Sequence, residues 1–80
     1  MSSIEVGIHT IGGMYIATAK IDGYEKNDFM IMERSDDDMV SSITRMIPLF
    51  YKEKERYVRV SKIIWEDNGL TVDIEEVGRA

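Results

Sequence analysis

Five groups of residues in this chain have types and spacings that chemistry can use. They are the triplet Asp36-Asp37-Asp38, the single histidine His9, the carboxylate pairs Glu66-Asp67 and Glu75-Glu76, the glycines Gly7, Gly12 and Gly13, and a basic run from Lys52 to Lys62. A calcium loop needs alternating oxygen ligands, a central glycine and a distant glutamate. Three consecutive aspartates at a helix start cannot all aim at one ion. They suit a first helical turn, where the positive end of the helix dipole favours anions, and their other use is as a solvent-facing acidic knob. His9 has no neighbouring Cys, Ser or acid motif to make it a base. The chain has no cysteine, so one histidine cannot form a zinc site unaided. The glycines are not followed by the lysine–serine pair and helix of a phosphate loop. Neighbours along a strand point to opposite faces, so neither carboxylate pair converges on a substrate. The residues therefore predict no catalytic set, no metal site and no cofactor, and the chain is not expected to be an enzyme.

The basic run admits two readings. Lys52, Lys54, Arg56, Arg59 and Lys62 alternate with Tyr51 and Tyr57, and aromatics among cations can stack on bases while the charges neutralise phosphates. Glu53 and Glu55 dilute the run, however, and the whole chain carries a net charge of −5. Bases near the negative end of a helix explain the same residues. Direct nucleic-acid binding through residues 52–62 is the weaker expectation.

Charge is also unevenly spread. Residues 22–38 hold seven acids against two bases, residues 52–62 five bases against two acids, and residues 63–80 five acids against one base. Such blocks steer partners without dictating a fold. At 80 residues and 44% hydrophobic composition, the chain predicts one domain whose stability rests on apolar packing. A domain of this size buries about 60–65% of its unfolded surface, which makes self-association a common remedy. No stretch approaches the run of about 20 apolar residues that a membrane helix requires. The opening Met1-Ser2-Ser3-Ile4-Glu5 lacks a signal peptide's basic and apolar blocks. The expected location is cytoplasmic, with no membrane partner.

The elements that must position these residues follow from periodicity and turn chemistry. Ile4, Val6 and Ile8 alternate with Glu5, Gly7 and His9 as in a strand. Gly12-Gly13 supplies the positive φ angles of a tight hairpin, and a second strand runs from Met14 to about Ile21. Asp22-Gly23 and Asn27-Asp28 signal a further turn before a third strand at Phe29-Met30-Ile31-Met32. Ser35 followed by Asp38 is a capping-box variant. Met39, Ile43, Met46, Ile47 and Phe50 then form one apolar stripe at helical spacing. Pro48 removes a hydrogen bond to the Thr44 carbonyl, and the stripe beyond it favours a kinked helix that continues toward Glu53. Tyr57–Glu66 and Leu70–Val77 are rich in strand-forming residues, with Asn68-Gly69 as the hairpin signal between them. A two-residue loop there pairs Trp65 with Val72. A three-residue loop with a Gly69 bulge pairs Ile64 with Val72, and the sequence leaves both open. The predicted fold class is α+β, an antiparallel sheet of about five strands in the chain order β-β-β-α-β-β with one helix packed on one face.

One helix covers one face of such a sheet, and the other face should then be polar. Phe29-Met30-Ile31-Met32, Met14-Tyr15-Ile16 and Ile63-Ile64-Trp65 are instead apolar in succession. With Phe29 and Ile31 toward the helix, Met30 and Met32 face away, and Tyr15 with Ile64 or Trp65 is expected to join them. An apolar patch on the open face of a small protein marks an interaction site, and methionine adapts to irregular contacts. The expected protein-binding residues are Tyr15, Met30, Met32 and Trp65, with Asp36, Asp37, Asp38, Glu66 and Asp67 as the acidic complement. A homodimer packed sheet to sheet or strand to strand would use the same apolar surface.

Short, acidic, cysteine-free α+β chains without catalytic residues resemble, in broad profile, the small inhibitors encoded by phages and other mobile elements. That resemblance implies an anti-defence inhibitor or adaptor that occupies a site on a host protein, one that handles nucleic acid. Acids at residues 33–38, 66–67 and 73–76 would then face a basic groove. The other expectations are a small nucleic-acid-binding regulator and a self-associating assembly protein.

Overall fold

The computed structural model describes residues 2–21 and 28–78, with the backbone alone at Lys20 and Asp28. The turn expected at Asp22-Gly23 and the loop residue Asn27 lie outside the described residues. Five strands and one helix follow in the order β1 (Ser2–Ile11), β2 (Met14–Lys20), β3 (Asp28–Glu33), α1 (Asp36–Lys52), β4 (Val58–Glu66) and β5 (Gly69–Glu76). The strands form one antiparallel sheet in the order β3-β2-β1-β5-β4. The fold is α+β, and its helix lies between the two edge strands in sequence.

The turns follow their chemistry. Gly12 and Gly13 have φ of 56° and 79°, the pair of positive values that a type I′ turn requires, and Ile11 pairs with Met14 across them. The second hairpin departs from both expected registers. Glu66 pairs with Gly69, Trp65 with Leu70 and Ile63 with Val72, so the two loop residues are Asp67 and Asn68. Gly69 belongs to the strand, not the turn. A Cβ there would stand 2.0 Å from the Val6 carbonyl oxygen, so only glycine lets β5 approach β1 this closely. The register then shifts between Val60 and Lys62. That bulge at Ser61 returns Val58 and Val60 to the face shared by Ile63 and Trp65.

Helix α1 starts at Ser35, whose side-chain oxygen accepts a hydrogen bond from the Asp38 N–H at 3.2 Å. The three aspartates occupy its first turn and Lys52 its last, as the helix dipole favours. The helix continues through Pro48. Thr44, whose carbonyl loses its intrahelical donor, is exposed, where water can serve instead. Met39, Ile43, Ile47 and Tyr51 are the buried apolar positions, a stripe of strict i+4 spacing. Met46 and Phe50, expected in that stripe, are rotated out of it. Met46 is exposed and Phe50 half-buried, because the i+4 stripe takes the buried face and turns these two positions to the flank.

The core lies between this stripe and one face of the sheet. Ile4 and Val6, Ala17 and Ala19, Phe29 and Ile31, Leu70, Val72 and Ile74, and Val58 supply the sheet side. The buried Ser42 hydroxyl donates to the Glu33 carboxylate and so ties the helix to the end of β3.

Close approach at Gly69 has a direct test. Gly69→Ala should destabilise the fold by about 1–3 kcal/mol through overpacking, read as a fall in Tm of several degrees. Gly7→Ala, whose Cβ would meet only Thr18 atoms at 3.9 Å, should stay within about 0.5 kcal/mol of the parent. Equal melting temperatures for the two variants would contradict the β1–β5 packing.

Candidate functional site

Alternation decides what the uncovered face presents. Side chains at odd positions of β1 and even positions of β2 and β3 point away from the helix. Ladder pairs set His9 opposite Ile16 and Ile16 opposite Met32, and set Gly7 opposite Thr18 and Thr18 opposite Met30. Met30 and Met32 are thus on the open face as expected, exposed to 62% and 53%, and Ile11 at the hairpin tip is exposed to 64%. Ile64 joins that face from β4, opposite Thr71.

Two expected members are elsewhere. Tyr15 pairs with Glu33 and packs, half-buried, against the core on the helix side, because its odd position shares the parity of Ala17 and Ala19. Trp65 pairs with Leu70 on the helix side as well. It sits at the sheet edge and stays 42% exposed. The Ser61 bulge, invisible in the apolar pattern, is what assigns Ile64 rather than Trp65 to the open face.

The open face divides into two unlike halves. Across β5, β4 and the start of β1, polar side chains satisfy one another. Ser3 donates to Asp73 at 2.6 Å, Ser61 to the Asp73 carbonyl at 3.2 Å, Thr71 to Glu66, and Arg59 pairs with Glu75. Across β2, β3 and the end of β1 stand Ile11, Met14, Ile16, Met30 and Met32, which no described element covers. The apolar surface also wraps around the β3 edge. On the helix side, Phe29 and Met30 line a groove of about 590 Å³ with Met46, Leu49, Phe50, Lys52 and Glu53, and Leu49 is 49% exposed. Sequence reasoning missed this groove because Leu49 and Met46 read as core. Met46 stands three residues beyond Ile43 and Leu49 two beyond Ile47, and those offsets from the buried stripe were the available signal.

The acids fall at the end of the sheet that carries the hairpin tip. Asp36, Asp37 and Asp38 open the helix beside the end of β3, all exposed, and Glu66-Asp67 close β4. The acids at residues 73–76 do not join them: Asp73, Glu75 and Glu76 lie toward the opposite end, engaged with Ser3, Arg59 and Arg56. The Asp36 carboxylate accepts a hydrogen bond from the Tyr15 hydroxyl, and its charge adds to that bond in holding the phenol above its ordinary pKa range. Among the described residues, no group of three or more His, Cys, Asp or Glu side chains is placed to hold a metal ion.

The basic run is largely engaged. Arg56 pairs with Glu76 and also lies over the Tyr51 ring at 4.9 Å, while Arg59 pairs with Glu75. Lys54 lies 5.8 Å from the centre of the Phe50 ring. Tyr51 is only 4% exposed, so its face is not available to stack on a base. Lys52 and Lys62 are exposed. No described helix is long and apolar enough to cross a membrane.

Compared with protein-family models, curated proteins and solved structures, the chain matches none. Its geometry is therefore the whole basis for a functional reading.

The contact between Tyr15 and Asp36 can be measured. A raised pKa means that the folded state favours the neutral phenol. Its stabilising effect is complete below the ordinary phenol pKa and disappears as pH rises through the raised one. Ultraviolet titration, with Tyr15→Phe to assign the signal, should show Tyr15 ionising late, and Asp36→Asn should move it back toward the ordinary range. A titration insensitive to Asp36→Asn would separate the two groups.

Proposed function

We propose that this chain is a non-enzymatic protein-binding module, an acidic inhibitor or adaptor that works in the cytoplasm. It docks its apolar corner on a cellular protein whose surface sets an apolar groove beside basic residues. The observation that carries this reading is the division of the open face. The polar half is internally paired, whereas Ile11, Met30 and Met32 remain more than half exposed with nothing polar to hold. Large apolar side chains grouped in this way on a small domain lower its solubility unless a contact uses them.

Charge supports the choice of partner. Asp37 and Asp38 stand beyond the end of the apolar half, exposed. Charged groups at the rim of an apolar contact set orientation and association rate more than affinity. A basic groove of the kind that holds nucleic-acid phosphates fits that rim, and an inhibitor that mimics nucleic acid would use it so. The engagement of Arg56 and Arg59 with acids makes direct nucleic-acid binding the less favoured use.

Affinity capture with paired variants tests the proposal. The parent chain should retain one cellular protein in stoichiometric amount, with nuclease treatment making no difference. Ile11→Lys, remote from the core, should abolish that capture while leaving the melting temperature within a few degrees. Charge reversal at Asp37 and Asp38 should slow association with the purified partner about tenfold or more at low salt, with less effect at high salt. A partner held equally by the parent and Ile11→Lys would rule out the apolar corner as the docking surface.

A further inference from the structure

The two edges of the sheet are built differently. The β4 edge carries a bulge at Ser61 and exposed basic side chains at Arg59 and Lys62, the devices that keep an edge from pairing with another chain. The β3 edge has a regular ladder to β2 with no register shift. Exposed apolar side chains flank it on both sides, Met30 and Met32 on the open face and Met46 and Leu49 on the helix face.

Hairpin geometry identifies which backbone groups that edge presents. In the type I′ hairpin the pair flanking the loop, Ile11 and Met14, exchanges its backbone hydrogen bonds, and such pairs recur at every second position. Met14, Ile16 and Thr18 therefore direct their backbone groups to β1, and Tyr15, Ala17 and Ala19 direct theirs to β3. Their partners there are Glu33, Ile31 and Phe29. The outward N–H and C=O groups of the β3 edge thus belong to Asp28, Met30 and Met32.

We propose that two copies of this chain join edge to edge, β3 against β3 and antiparallel, with Ile31 on the two-fold axis. In this register each Met30 stands opposite Met32 of the second copy, and the pair exchanges both outward hydrogen bonds. Ile31 meets its own copy on the helix side. At each end Asp28 stands across from Arg34 of the second copy, residues of opposite charge. Shifting the axis to Met30 keeps the outward groups paired but sets Asp28 against Met32 and loses that complementarity. The axis runs perpendicular to the sheet, so both helices lie on one side and both methionine-rich surfaces on the other. The inference stands apart from the proposed cellular partner and leaves Ile11 outside the seam.

Sedimentation equilibrium over a broad concentration series tests the pairing. The parent should approach twice its 9.2 kDa mass. Met30→Pro removes an outward N–H without breaking the β2 ladder, and should give a folded monomer by circular dichroism. Asp28→Arg and Arg34→Asp should each weaken the dimer about tenfold by facing like charges, and the double swap should restore it. Should Met30→Pro unfold the chain, the charge swap still decides. A parent that stays monomeric throughout, or a double swap no tighter than the single changes, overturns the proposal. Ile11→Lys should leave the dimer intact while abolishing capture of the cellular partner, so the two proposals fail separately.

Discussion

One packing contact governs the molecule: the stripe Met39, Ile43, Ile47 and Tyr51 laid across a five-stranded sheet. A helix is about 10–12 Å across with its side chains, while strands repeat at about 4.8 Å. A single helix is therefore narrower than the sheet it covers, and no described element covers the other face. Every large exposed apolar group on the sheet or the helix is a consequence of that shortage. Trp65 remains part-exposed near the end of the edge strand β4, and Met46 and Leu49 on a flank of the helix that no second described helix meets.

The chain answers the shortage in two ways. Over β5 and β4 the open face, Ile64 apart, is given to hydroxyls, carboxylates and Arg59, which pair across strands. Such exposed pairs add little stability individually, but they make that half content with water. Over β2 and β3 the open face is left apolar. A chain that has made half of one surface polar could have made the other half so, and that contrast supports the docking role proposed for the methionines.

Much of this was legible in the residues. Each expected strand lies within a residue or two of its place, the glycine hairpin has its positive φ angles, and the capping serine and the passage of the helix through Pro48 match the pattern reading. The facing of Met30 and Met32 also followed from alternation alone. Failures concentrate where one residue of register reverses a face. Asn68-Gly69 reads as a turn, yet Gly69 is required in the strand by the close carbonyl of Val6, a constraint set by a residue far away in sequence. The bulge at Ser61 then moves Trp65 off the open face. Tyr15 was misplaced for a simpler reason: its apolar neighbours hid the parity it shares with Ala17. The groove beside Leu49 depended on which flank of the helix meets β3, a matter of tertiary packing with only a faint trace in the spacing.

The central position of β1 has a consequence for how the chain comes together. β1 is flanked by its immediate successor, β2, and by the most distant strand, β5. The first three strands form one local unit and the last hairpin another. The ladder from Ser2–Ile74 to Gly7–Gly69, with the Ile8 N–H bond to the Asn68 carbonyl beyond it, joins them among the described residues. Loop-closure entropy makes such distant pairings slow to form. During synthesis β1 must wait, with one side bare, until β5 has left the ribosome. Assembly is therefore completed after translation of the last strand, and in that interval the half-sheet is the species most open to chaperones and to aggregation.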